Sequence, residues 1–196
     1  MAVNGQTPGT TPLDPDEAEG LLPSHITTKG QLDEWESENI LEGERWAHRR
    51  GKKEILDEKF VRELHKRMFG KTWKWAGAFR KTEKSVGIAP ENISVRLHNL
   101  LEDTKTQLEQ KVAPLDEIAA KFHHLLVSIH PFPNGNGRHA RLMTDLLLTA
   151  NGSEPFSWGK GDLVHPGKVR NNYLAALRAA DKGDYQPLID FVRSGQ

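Results

Sequence analysis

The chain has 196 residues, in which 27 Lys and Arg balance 27 Asp and Glu. That length fits one domain with an added arm and can bury a proper core, while zero formal charge gives no global electrostatic case for nucleic acid or a membrane surface. The absence of cysteine excludes disulfides and thiol catalysis, the longest apolar run (Leu146-Leu147-Leu148) is far too short to span a bilayer, and no basic-then-apolar leader is visible, so a soluble cytoplasmic protein is the expectation.

Residues 1–23 are rich in Gly, Thr, Pro and acid and read as a mobile tail, with Asp14 to Glu17 able to start a short helical turn. Residues 24–54 form an arm. Its helix runs from about Thr28, a good cap, to Arg50, with Gly51 beyond its basic end. Leu32, Trp35, Gly43, Trp46 and Ala47 fall on one broad face, where Gly43 permits close approach and Glu42 sits at the border. The basic run from Arg45 to Lys53 reads as a solvated helix end.

Phe60, Val61, Leu64 and Met68 give the next helical stripe, from about Asp57 to Phe69, closed by Gly70. The aromatics of Trp73 to Phe79 read as core. From Thr82 to Val95 the helical period stops. Two β-prone pieces, one containing Val86 and Ile88 and the other Ile93 and Val95, flank Ala89-Pro90-Glu91-Asn92 and suggest a small hairpin.

Leu97, Leu100, Leu101, Thr104 and Leu108 form a further helix, broken by Pro114. Ile118, Ala119, Phe122, Leu125, Leu126 and Ile129 then make a strong stripe that ends at His130, where Pro131 disfavours continuing the helix. His123 and His124 are adjacent and point in different directions on a helix, with no cysteine or zinc-type spacing beside them. After residue 137 the helical period resumes through Leu142, Met143, Leu146 and Leu147, then again from about Pro166 to Ala180 and over Leu188 to Val192.

The most informative stretch is His130-Pro131-Phe132-Pro133-Asn134-Gly135-Asn136-Gly137-Arg138-His139-Ala140-Arg141. A histidine leads into an Asn/Gly loop whose residues accept unusual backbone angles, and the loop opens onto a basic helix. The helix N-terminus and loop N–H groups make an anion cradle, with phosphate the natural anion. Arg138 and Arg141, three apart, share the first turn and carry forks suited to phosphate oxygens.

This stretch resembles the signature of the Fic (Fido) family, H-x-F-x-[D/E]-G-N-G-R-x-x-R, with one departure at Asn134. The resemblance implies transfer of AMP from ATP to a protein hydroxyl. It makes His130 the base, Phe132 the hydrophobic anchor, and Gly135, Asn136 and Gly137 the holders of the nucleotide phosphates. Arg138 and Arg141 would bind the outer phosphates. Asn134 occupies the position whose carboxylate holds Mg²⁺ in the family. The segment Glu38 to Gly43 is similar to the family's inhibitory motif, which would pair Glu42 with Arg141. The expected hairpin, with Val86, Ile88, Ile93 and Val95, takes the place of the family's target-docking flap. Trp75 to Arg80 and Tyr173 to Leu188 also resemble family segments.

The expectation is therefore an all-α, Fic-like helical bundle with one small β-hairpin flap, its catalytic domain spanning 55–196. The whole chain resembles the bacterial subgroup called mobile mystery protein B, which implies a mobile-element setting and a helix-turn-helix companion beside an unidentified target protein. No direct nucleic-acid contact is expected. Two alternatives stay open: a Fic-like enzyme with another phosphate donor or with de-AMPylation activity, and a nucleotide-binding pseudoenzyme or partner-binding module. Asn134 favours the second of these.

Overall fold

A computed structural model describes residues 15–50 and 54–195. The part of the expected tail before Pro15, including Asp14, and the Gly51 to Lys53 end of the basic run lie outside the described residues. The helices in chain order are α1 (Pro15–Ala18), α2 (Lys29–Ala47), α3 (Glu58–Phe69), α4 (Ile93–Gln110), α5 (Leu115–Ile129), α6 (Asn136–Ala150), α7 (Lys168–Ala180) and α8 (Gln186–Arg193). Among the described residues the β structure is a single bridge, Leu21 to Trp73.

Helix α5 is the hub, packed on α4, α6 and α8, while α2 lies along α3. The apolar stripe of each helix supplies the common core: Leu64, Met68 and Phe69 from α3, Phe122 and Leu126 from α5, and Met143 and Leu147 from α6 are all buried. Each such side chain contributes about 1.5–3 kcal/mol relative to exposure. Helix α2 begins with a reciprocal capping box between Thr28 and Gln31, and Asp57 caps α3 through the Lys59 N–H at 2.7 Å. Gly43 lets α2 sit close on α3, since a Cβ there would meet Met68 Cγ at 2.9 Å.

Two expectations need correction. The hairpin is not formed: residues 82–89 are irregular, Pro90–Asn92 is a 3-10 turn, and α4 already starts at Ile93. Ile93 is buried on the same helical face as Leu97, Leu100, Leu101 and Thr104, and that period overrides the β preference of Ile93 and Val95. Val95 is therefore an exposed helical residue; Val86 is exposed and Ile88 half-buried on the irregular flap segment.

The second correction concerns the tail. From Pro15 onward the chain is docked. Trp75 Nε1 donates to Glu17 O at 2.9 Å, the Leu22 N–H to Thr72 O at 2.8 Å, and the Lys74 N–H to Gly20 O at 2.8 Å. Glu17 also pairs with Lys84 of the flap segment at 2.5 Å, with both side chains largely buried.

Candidate active site

Helix α5 ends on His130 itself. Because Pro131 follows, His130 leaves the right-handed region and adopts φ 53°, ψ 61°, while its N–H still donates to Leu126 O. The ring is buried, and that burial, reinforced by the nearby Arg80 and Lys84 charges against a backbone contact to Val127, lowers its pKa to about 4. The imidazole is therefore neutral at neutral pH.

The loop that follows is locked from several sides. Phe132 is fully buried, stacked on His65 at 3.7 Å between ring centroids and edge-on to His139. The His65 tautomer is fixed by its partners: Nδ1 accepts from the Gly77 N–H and Nε2–H donates to Asn134 O, both at 3.0 Å. Burial keeps His65 and His139 well below the usual histidine range, so this packing involves neutral rings. Gly135 takes φ 77° and starts α6, and a Cβ there would meet Phe69 at 2.7 Å, so only glycine fits.

Asn136 turns its side chain inward. Its Oδ1 accepts from the Phe132 N–H at 2.9 Å and its Nδ2 donates to Phe132 O at 2.7 Å. The expectation that Asn136 holds phosphate is thus corrected for the side chain, which staples the loop; only its backbone N–H remains on the anion side. Gly137 is open, with nothing nearer to a notional Cβ than Arg141 Nη1 at 3.8 Å. The first turn of α6 thus offers N–H groups that have no partner within the helix.

The two arginines have different neighbours. Arg138 lies over the Phe69 ring at 4.9 Å and donates through Nη1 to Glu36 Oε2 at 2.5 Å. Arg141 is held by the Tyr173 hydroxyl; burial pulls its guanidinium below the usual range, and Tyr173 and Asp145 oppose that shift. Asp145 is itself raised to about 6 by burial, although Trp158 Nε1 and the Phe156 N–H both donate to it. His123 Nε2 meets the Tyr173 hydroxyl at 2.8 Å, and His124 Nε2 meets Asp181 at 2.8 Å.

Glu42 does not make the contact expected of it. Its carboxylate is half-exposed and holds Lys71 Nζ at 2.6 and 2.8 Å. The α2 acid that reaches a motif arginine is Glu36, buried between Arg138 and Trp73 Nε1, which donates to it at 2.6 Å. The signal was available. Leu32, Glu36, Asn39, Gly43 and Ala47 are spaced by three or four and all are buried, so Glu36 lies on the packed stripe and Glu42 about a hundred degrees off Gly43.

Asn134 offers no carboxylate, and its Oδ1 accepts from the Gly135 N–H at 2.6 Å. Among the described residues no three His, Cys, Asp or Glu side chains gather as metal ligands. The residues present therefore do not fit the protein-held Mg²⁺ that the resemblance implies.

A neutral histidine at a helix end, a glycine loop and an arginine-bearing helix start come together inside the helical bundle. Residues 55–148 match the Fic/DOC family model, and this stretch of the chain is a Fic domain. The chain is 31% identical over 137 residues to protein adenylyltransferase fic-1 of Caenorhabditis briggsae, a match covering 67% of this chain and 25% of that protein. It thus spans about a quarter of the length of this curated relative. Fic-1 of C. elegans superposes with a TM-score of 0.64 at 25% identity, covering 89% of this chain and 51% of that one. The N-terminal Fic domain of a putative cell filamentation protein from Bartonella quintana, solved with ADP, gives 0.69 at 19% identity and covers 90% and 94%. Among the described residues no helix is long and apolar enough to cross a membrane.

Proposed function

We propose that the chain is a protein adenylyltransferase that moves AMP from ATP to a Ser, Thr or Tyr hydroxyl of a target protein. The observation that carries this reading is the neutral, buried His130 set one loop away from the open N-terminus of α6 and its two arginines. The relatives named protein adenylyltransferases support it.

In this reading the backbone N–H groups of Gly135, Asn136 and Gly137 and the forks of Arg138 and Arg141 receive the phosphates. His130 takes the proton from the target hydroxyl as its oxygen bonds to the α-phosphorus. The bond from that phosphorus to the bridging oxygen breaks, and pyrophosphate leaves with the electron pair. Charge growing on the phosphates meets fixed N–H dipoles, which need no reorganisation. To a divalent cation arriving with ATP, Asn134 would offer a neutral amide oxygen in place of a carboxylate.

The proposal includes restraint by the arm. Glu36 occupies the Arg138 fork that an outer phosphate needs, so nucleotide and α2 compete for one guanidinium. The mobile-element setting and the helix-turn-helix companion rest on the subgroup resemblance alone.

Incubation with α-³²P-labelled ATP tests the reading. The wild-type chain should label itself, and His130→Ala should lose about 10²–10⁴-fold in transfer while still binding ATP. Equal loss of ATP binding would recast His130 as a binding residue. ATP binding by the wild type without any transfer would favour the nucleotide-binding pseudoenzyme.

A further inference from the structure

Arg80 is a buried cation whose guanidinium spends its donors on backbone carbonyls. Its Nε donates to His130 O at 2.7 Å, Nη1 to Thr82 O at 2.8 Å, and Nη2 to Ile88 O and, at 3.5 Å, Ile129 O. Its own N–H donates to Pro131 O at 2.9 Å. The side chain thus grips both ends of the flap segment, at Thr82 and Ile88, together with Ile129 and His130, while the Arg80 backbone N–H holds Pro131. Between those ends, Gly87 (φ 115°) lies on top of the site: a Cβ there would meet Arg80 Nη2 at 2.6 Å and His130 Cβ at 2.8 Å.

We propose that Arg80 is a positioning residue for the transfer reaction, fixing the flap segment 82–88 against His130 so that a hydroxyl docked on the flap reaches the base. This rests on the adenylyltransferase reading for its chemistry, but its geometric content stands apart from it. His130 sits at a left-handed helix end that a non-glycine residue adopts only under strain, and the Arg80 fork on His130 O and Ile129 O pins it there. The flap segment is also tied by the Ile88 N–H to Ile129 O contact at 3.5 Å and by the Lys84 pair with Glu17. The neighbouring charges facing the imidazole are Arg80 and Lys84, and Lys84 is paired with Glu17 of the docked N-terminal segment. Arg80 therefore also helps to hold His130 neutral.

Three variants of the full chain test this. Arg80→Lys keeps the charge and loses the fork. Arg80→Met loses both. Gly87→Ala sets a methyl against Arg80 Nη2 and His130 Cβ and so forces the flap off the histidine. Arg80→Lys and Gly87→Ala should bind ATP within about twofold of wild type while self-labelling falls by about ten- to a hundredfold, because displacement of about 1 Å suffices for that. In the NMR titration of the His130 ring nitrogens, Arg80→Met should move the midpoint upward and Arg80→Lys should leave it close to wild type. Hydrogen exchange at residues 86–88 should quicken in all three. Labelling unchanged in both Arg80→Lys and Gly87→Ala would overturn the inference, as would a loss of ATP affinity matching the loss of rate. Should the wild type fail to label at all, the adenylyltransferase reading falls, and exchange and titration still decide the role of Arg80: unchanged flap exchange in Arg80→Lys sinks it. If Arg80→Met does not fold, the other two variants carry the test.

Discussion

Three residues apart on one helix, Arg138 and Arg141 are held by opposite chemistries: a buried carboxylate for the first, a tyrosine hydroxyl for the second. At this scale the most consequential departure is Asn134. An amide oxygen carries no formal charge, and Mg²⁺ prefers carboxylate and phosphate oxygens. Asn134→Asp should therefore lower the Mg²⁺ concentration needed for half-maximal self-labelling. A metal dependence identical to wild type would place position 134 away from the phosphates. The helix end at His130, the buried Phe132 ring and the positive φ of Gly135 could be read from the sequence because each depends on residue type: a proline after the histidine, a phenylalanine with a pocket to fill, a glycine where no Cβ fits. The Asn136 amide could serve a phosphate or the loop equally well, and only the position of Phe132 gives the side chain to the loop.

At the scale of elements, α2 is the piece that reaches a motif arginine, through Glu36. Its grip on Arg138 is charge-assisted, worth on the order of 1.5–3 kcal/mol. Glu36→Gln keeps an acceptor for Trp73 and removes the charge that holds Arg138. It should raise ATP affinity and self-labelling by about tenfold, measured by calorimetry and label incorporation. Glu42→Gly, which removes only the half-exposed contact to Lys71, should change neither measurably. An unaltered ATP affinity in Glu36→Gln would show that α2 packs without restraining. Helix α2 itself was legible from its cap and its period, but the choice between Glu36 and Glu42 turned on following a single stripe rather than a broad face. The flap was legible as a break in the helical period. Its conformation was not, because Ile93 and Val95 are β-branched while the buried spacing from Ile93 to Thr104 belongs to a helix. Arg80 left no periodic signal, since its partners are backbone carbonyls remote in sequence.

The whole molecule carries an unusual store of neutral histidine. His65, His123, His130 and His139 are all buried with pKa values depressed, to about 3 for His123 and about 4 for His130 and His139. Between the ordinary value of about 6.5 and those depressed values the unfolded chain binds protons that the fold refuses. Stability is then fully present above about pH 6.5 and is lost as pH falls, with a limiting slope near 1.36 kcal/mol per pH unit for each histidine. Asp145, raised to about 6, acts in the opposite sense, its contribution being lost as pH rises through that value, so it offsets part of one histidine's effect. Thermal melts should show a midpoint several degrees lower at pH 5 than at pH 7.5; an equal or higher midpoint at pH 5 would show that the four rings are solvated. The helical bundle was readable from stripes alone, whereas the docking of residues 15–22 was not. That segment is held by backbone carbonyls and by Glu17, which composition cannot register.

The carboxylate that restrains Arg138 also accepts the indole N–H of Trp73, and Trp73 stacks on Trp75 with centroids 5.1 Å apart. A phosphate that wins Arg138 from Glu36 therefore changes the electrostatic surroundings of a paired fluorophore. Under the proposed restraint by α2, the chain would carry its own optical gauge of release: ultraviolet emission, followed without any label while ATP is titrated in.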